Sequence, residues 1–168
     1  MPLQTLPAHF RATSLQWLRY YKSLGDQAIA RLTDAQLHEA PNSSSNSIAV
    51  IIRHLHGNML SRWTDFLNTD GEKKWRQRDE EFELHAETKA QLIDRWEAGW
   101  SCCFQALESI TDEDLMKTIF IRKQPLTVLD AIQRQLAHYP YHVGQMVYLS
   151  RMMLDLQWES LSIPKRVK

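Results

Sequence analysis

The stretch that decides the fold is TKAQLIDRWEAGWSCCFQALESI, residues 88–110. Apolar side chains recur along it at steps of three and four residues, and they are Ile93, Trp96, Trp100, Cys103, Leu107 and Ile110. This is the period of an α-helix that buries one face. Such a seam is typical of helices packed in a bundle, so the segment predicts one bundle member.

Three further segments show the same period, from about Pro7 to Leu32, Ile48 to Leu67 and Val128 to Leu156. Their predicted inward residues are Trp17, Tyr21, Leu24, Ala28 and Leu32 in the first, Ile48, Ile51, Ile52, Leu55, Met59, Trp63 and Phe66 in the second, and Leu129, Ile132, Leu136, Tyr139, Val143, Val147 and Leu154 in the last. Only five glycines and six prolines punctuate the chain, which favours long helices over short strands. The sequence predicts an all-α fold, a four-helix bundle rather than an irregular helical domain.

The predicted bundle is one domain over residues 1–168, with a charged connector at about 68–87 and a short tail at about 157–168. The connector contains Asp70-Gly71, a turn signal. Its run KKWRQRDEE, residues 73–81, is typical of a solvated surface, although the same basic residues could rim a pocket and bind an anionic substrate. Ile119-Phe120-Ile121 predicts a brief extended segment before the last helix.

Composition and charge exclude several classes of function. Twenty basic and twenty acidic side chains cancel, and the pI is near 7.1, whereas nucleic-acid binders normally carry a basic excess. The N-terminus lacks the charged and apolar regions of a secretory signal, and no apolar run is long enough to span a bilayer. The two cysteines, Cys102 and Cys103, are adjacent, and neighbouring cysteines seldom pair. We expect a cytoplasmic protein that binds neither nucleic acid nor membrane.

Two of the seven histidines, His138 and His142, form a candidate metal-ligand pair in the last helix. A separation of four places two imidazoles on one helix face, although chance pairs of this kind are commoner than ligands. Pro140 stands between them and costs a helix on the order of 3 kcal/mol, a cost better tolerated where a distortion aims side chains. Gln145 offers an amide that could hold a ligand in place. No glutamate follows His138, so the zinc-protease pattern is absent.

A third ligand could come from the second helix, which carries His54 and His56. These residues lie on opposite edges of the apolar stripe, so they cannot both point at one ion. Periodicity leaves the choice open and leans toward His56, because Ile52 and Trp63 extend the stripe on that side.

Longer motifs give a resemblance to a known family. The second helix carries Ile-x-x-His-Leu at residues 51–55, and the last carries His-x-x-x-His-x-Gly-Gln at 138–145. With GNMLSRWTDFL at 57–67, DGEK at 70–73 and Trp75-Arg76, the chain resembles the DinB superfamily over nearly its whole length, in particular a branch without an assigned function.

The resemblance implies an up-down-down-up four-helix bundle, commonly a homodimer. It also implies one divalent metal ion, nickel or zinc, held by His54, His138 and His142, with no ligand role for His56. Asn58 or Gln145 would orient the ligands.

Three neutral imidazoles with an open position are typical of a catalytic rather than a structural metal. Relatives in the superfamily include metal-dependent transferases that use small thiols. The function hypothesis is therefore that the metal binds a small thiol as thiolate, which attacks an electrophilic substrate. The alternative is a non-catalytic, metal-binding homodimer that serves in stress response or ligand binding. A third possibility, DNA binding, is disfavoured by the neutral charge.

Overall fold

Four long α-helices dominate the computed structural model, which describes residues 5–83 and 85–163. They are α1 (Leu6–Ala30), α3 (Ile48–Trp63), α4 (Lys89–Ser109) and α5 (Val128–Leu154), with a short α2 (Asp34–His38) after the first. The predicted all-α, four-helix bundle is confirmed. Of the predicted tail, residues 164–168 lie outside the described residues.

A hydroxyl side chain caps the N-terminus of each α-helix. Thr5, Thr33, Ser47, Thr88 and Thr127 each accept a hydrogen bond from a backbone N–H in the first helical turn. This satisfies one of the donors that a helix start leaves without a partner. The serine-rich loop before α3 therefore ends in a cap, and α5, which carries two of the candidate ligands, begins at a defined residue.

Contacts along the helices set their directions. Gly99 of α4 lies against His56 and Cys102 lies against Met59, so α3 and α4 run parallel. His142 lies beside His54, whereas Tyr139, three residues earlier, bonds to Trp63, so α5 runs antiparallel to α3. The order is up-down-down-up, as the resemblance implied.

The predicted core is largely present, with two exceptions. Every inward residue expected in α3 and the loop after it is buried. Trp17 of α1 and Ile93 of α4 are instead 54% and 37% exposed, so their assignment to the core was wrong. Both lie at the edge of an apolar stripe, where the period does not show how far the neighbouring helix reaches.

The second predicted helix, α3, ends at Trp63, four residues earlier than predicted, because Thr64 is extended and Asp65 has a positive φ of 45°.

The expected extended segment forms one strand of a small hairpin. Strand β1 (Thr118–Ile121) pairs antiparallel with β2 (Gln124–Thr127). The two turn residues, Arg122 and Lys123, have φ of 53° and 62°, the left-handed backbone of a type I′ hairpin that usually carries Asn-Gly. The carboxylate of Asp70 accepts both of their backbone N–H groups. The connector therefore holds the turn in place.

The connector is only in part the solvated surface that its charge predicted, because Lys74, Trp75 and residues 77–80 are exposed but other positions pack inward. Gly71 and Glu81 are buried, and the Arg76 side chain is only 2% exposed. Because α3 and α4 are parallel, the chain between them must return along the bundle, and it packs against α3 on the way. No helix of the described residues is long and apolar enough to cross a membrane.

Candidate metal centre

Three histidine side chains from two helices converge at one place in the bundle. His54 comes from α3, and His138 and His142 come from adjacent turns of α5. Each offers a ring nitrogen, and these atoms all lie within 4.8 Å of one another. The Nε2 atom of His138 is 3.4 Å from that of His54 and 3.1 Å from that of His142.

The spacing of the ring nitrogens suits a single small ion. Zinc–imidazole bonds of about 2.0–2.1 Å arranged as a tetrahedron place neighbouring nitrogens about 3.3 Å apart. The Nε2–Nε2 distances from His138 to His54 and His142, 3.4 and 3.1 Å, lie on either side of this value. Both distances, and the upper bound of 4.8 Å on the separation of the ligand atoms, are compatible with ligation of one divalent cation.

The other nitrogen of each ring is held by a neighbouring side chain. His54 Nδ1 lies 2.9 Å from Glu81 Oε2, His138 Nδ1 lies 3.3 Å from Gln135 Oε1, and His142 Nδ1 lies 2.9 Å from Gln145 Oε1. Ionised carboxylate and amide oxygens only accept hydrogen bonds, so each Nδ1 carries the proton. All three Nε2 atoms then present lone pairs to one another, an arrangement that a bound cation stabilises.

Burial keeps the two α5 histidines neutral. It lowers the pKa of His138 to about 3, with further lowering by His142, His54 and the charges of Arg62 and Arg134. Burial also lowers the pKa of His142 to about 4, although its hydrogen bond with Gln145 opposes the shift. Both imidazoles are therefore in the form that binds metal at neutral pH.

Glu81 supports the centre from behind His54. Burial alone would raise the pKa of this carboxyl, but hydrogen bonds from His54 and Arg76 outweigh burial and lower it. Arg76 donates to both Glu81 oxygens, at 2.7 and 2.9 Å. A Cβ at Gly57 would lie 2.1 Å from Glu81 Oε1, so only glycine leaves room for the carboxylate here.

Of the other residues that the sequence analysis considered for the site, one contacts the histidine cluster and two do not. His56, toward which the helical period leaned, lies apart from the three-histidine cluster, in a surface depression with Trp75 and Arg95. Gln145 contacts His142 as expected of an orienting residue. Asn58 instead accepts a hydrogen bond from Tyr139, because one turn beyond His54 the α3 surface faces that tyrosine. Among the described residues, Asn58 makes no hydrogen bond to a histidine.

Two orienting residues, Glu81 and Gln135, were missed. Gln135 stands three residues before His138, as Gln145 stands three after His142, and this symmetry of spacing could have identified it. Glu81 lies 27 residues from His54 in a charged run, and no local pattern marks it. Pro140 does not break α5, which is continuous from Val128 to Leu154.

A basic cavity of about 300 Å³ opens beside the histidines. His54 and His138 form part of its wall, together with Asn58, Gln135 and five arginines, which are Arg62, Arg76, Arg78, Arg122 and Arg134. A second, less polar depression of about 480 Å³ lies beyond Gln145 and is lined by Ile51, Leu149 and Met152 among others.

Fold and site together define a four-helix-bundle protein with a three-histidine cluster contributed by two of its helices. The chain belongs to the family described as "Protein of unknown function (DUF1572)", which it matches over residues 7–167.

A solved structure shares the fold. It is described as "YfiT from Bacillus subtilis is a probable metal-dependent hydrolase with an unusual four-helix bundle topology". The two are 19% identical, with a TM-score of 0.62 over 91% of this chain and 93% of that one. No curated protein matches the sequence.

Proposed function

We propose that this protein is a metal-dependent enzyme in which His54, His138 and His142 hold one divalent ion, zinc or nickel. The observation that carries the proposal is the set of three Nε2 atoms that face one another while Glu81, Gln135 and Gln145 hold each Nδ1. Three neutral ligands leave a position open for a further group. A metal ion so held lowers the pKa of a thiol or water that it binds, which supplies a nucleophile at neutral pH.

The reaction that we propose is transfer of a small thiol to an electrophilic substrate. The sulfur forms a bond to an electrophilic carbon, the leaving group departs with its electron pair, and the thiol proton passes to solvent. Glu81, engaged by His54 and Arg76, is not free to act as a general base, and thiol transfer does not need one. The proposal places the protein in the cytoplasm, where small thiols are kept reduced.

Hydrolysis is the second candidate, because the similar YfiT structure is described as a probable metal-dependent hydrolase. Water would then take the place of the thiol at the same open position. The histidines and their hydrogen-bond partners would have the same roles in both reactions.

An assay with and without thiols distinguishes the candidates. We expect the metal-loaded protein to accelerate conjugation of a small thiol to an electrophile, and we expect a chelator to abolish this rate while far-UV circular dichroism stays unchanged. Product formation without any thiol would favour hydrolysis. If neither reaction shows a metal-dependent rate across a broad panel, the alternative of a non-catalytic metal-binding module is favoured.

We also propose that the protein is a homodimer. Large apolar side chains remain exposed on α1 and α5, notably Trp17, Tyr20, Tyr141, Tyr148 and Met152, and a second copy would cover such a surface. Light scattering at micromolar concentration should then give a mass near twice 19.7 kDa. A mass near 19.7 kDa would contradict the dimer.

A further inference from the structure

The basic cavity beside the histidines collects arginines from four parts of the chain. Arg62 comes from α3, Arg76 and Arg78 from the connector, Arg122 from the hairpin turn and Arg134 from α5. His54 and His138 line the same cavity. A molecule bound there therefore lies between guanidinium groups and the candidate metal ligands.

The arginines lie at two depths. Arg62 and Arg76 are almost fully buried, with side chains 5% and 2% exposed. Arg62 donates to the Gly71 carbonyl and to Glu72, and Arg76 donates to Glu81. Arg62 and Arg76 therefore form the fixed inner wall of the cavity. Arg78, Arg122 and Arg134 are exposed at the rim, where they can turn toward a ligand.

Carboxylates do not balance this charge. Glu72 is shared by Arg62, Arg76 and Arg122, and Glu81 by Arg76 and His54. Asp79 contacts Arg78 at 3.6 Å but is fully exposed, so the pair is weak. Asp70, at the hairpin turn, accepts hydrogen bonds from backbone N–H groups, and the Lys73 ammonium lies beside it and donates to its backbone carbonyl. Within the described residues, Arg134 contacts no carboxylate, so the cavity keeps a positive excess.

We propose that this cavity binds the anionic group of the substrate, a phosphate or a carboxylate. Guanidinium groups match the oxygens of both anions through paired hydrogen bonds. The inference rests on the proposed function in one respect, since it assigns the reactive end of the substrate to the metal on His54, His138 and His142. Binding of the anion itself requires only the arginines.

Titration calorimetry on the full-length, chelator-treated protein at constant ionic strength tests the proposal, with inorganic phosphate and succinate as probes. We expect saturable binding of at least one of them in about the millimolar range. Tighter binding of phosphate would identify a phosphorylated substrate, and tighter binding of succinate a carboxylate substrate. Chelation prevents either anion from binding a metal ion directly.

Two variants and two matched controls locate the binding. Arg122→Asn and Arg134→Gln should each lower the affinity for the anion about tenfold, which is the effect of losing one charge-assisted hydrogen bond. Asparagine tolerates the positive φ of the turn, so the first variant should still fold. Lys123→Asn removes the same charge from the same turn, and Arg151→Gln removes one from the exposed end of α5. Both controls lie outside the cavity and should bind the anion like the parent.

Failure of this inference is distinguishable from failure of the proposed function. No binding of either anion below about 10 mM, or equal weakening by the controls, would overturn the anion site even if the protein binds metal. Arginine-dependent anion binding by a protein that takes up no metal would support the site and overturn the metal-dependent reaction.

Discussion

His54→Ala should abolish stoichiometric metal binding at neutral pH, and so should His138→Ala and His142→Ala. Each substitution removes one of the three proposed side-chain ligands. Loss of a residue that merely orients a ligand typically weakens metal affinity 10–100-fold, so loss of a ligand should exceed about 100-fold. Metal content after dialysis and calorimetric titration with zinc or nickel measure the effect, and circular dichroism checks that the fold persists.

The matched control for this prediction is His56→Ala. His56 lies two residues from His54 on the same helix, outside the three-histidine cluster. We expect this variant to bind metal like the parent and to lose at most about 1 kcal/mol of stability. Metal retained by His54→Ala and lost by His56→Ala would show that the ion binds elsewhere.

Glu81→Ala should reduce both stability and metal affinity. Without the carboxylate, the one acidic partner that the almost fully buried Arg76 keeps among residues 5–83 and 85–163 is Glu72, at 3.8 Å. Breaking a buried ion pair in this way costs about 3–5 kcal/mol. His54 also loses the acceptor that orients its ring, which should weaken metal binding about 10–100-fold. Denaturant unfolding of the chelated protein and zinc titration measure the two effects separately.

The stability effect of Glu81→Ala should depend on pH. The folded state lowers the pKa of Glu81 below its ordinary value of 4.5. The contribution of Glu81 to the free energy of unfolding is therefore fully present above pH 4.5 and is lost as the pH falls through the folded pKa. The stability difference between parent and variant should therefore shrink at acidic pH. Glu80→Ala removes an exposed neighbour and is the control. Equal effects of the two substitutions would contradict a structural role for Glu81.

Gly57→Ala should disturb the same contact between Glu81 and His54. The new methyl group would meet Glu81 Oε1 at 2.1 Å and force the carboxylate away from His54. Gly144→Ala is the control, because a Cβ there meets no atom within 4 Å. Exposed glycine-to-alanine changes within helices stabilise by up to about 1 kcal/mol. We expect a gain at Gly144 and a loss of stability and metal affinity at Gly57.

Local sequence patterns predicted the helices and half of the candidate site. The apolar period of 88–110 and of three other segments depends only on helix geometry, so the bundle and most of its core followed from it. The pairing of His138 with His142 is equally local, since residues four apart share a helix face in any α-helix. The period did not show that Trp17 and Ile93 stay exposed, because coverage at the edge of a stripe depends on neighbouring helices.

Other parts of the site depend on how distant segments meet. The period of α3 leaned toward His56, and the choice of His54 came from the likeness to the DinB superfamily. The structure brings His54 to the α5 histidines because α5 crosses α3 antiparallel at that turn. Charge patterning predicted that residues 73–81 are solvated, and most of them are, but it did not show that the side chains of Arg76 and Glu81 are buried.

By itself, the sequence determined an all-helical bundle with one imidazole pair, because helical period and i, i+4 spacing are properties of a single segment. Only the tertiary structure decided that Glu81 supports His54 and that arginines from four parts of the chain surround one cavity. These contacts arise because parallel α3 and α4 force the connector back along the bundle. The hairpin and α5 contribute their arginines to the same cavity. The spacing of residues within one segment cannot predict this, because it depends on how distant segments pack.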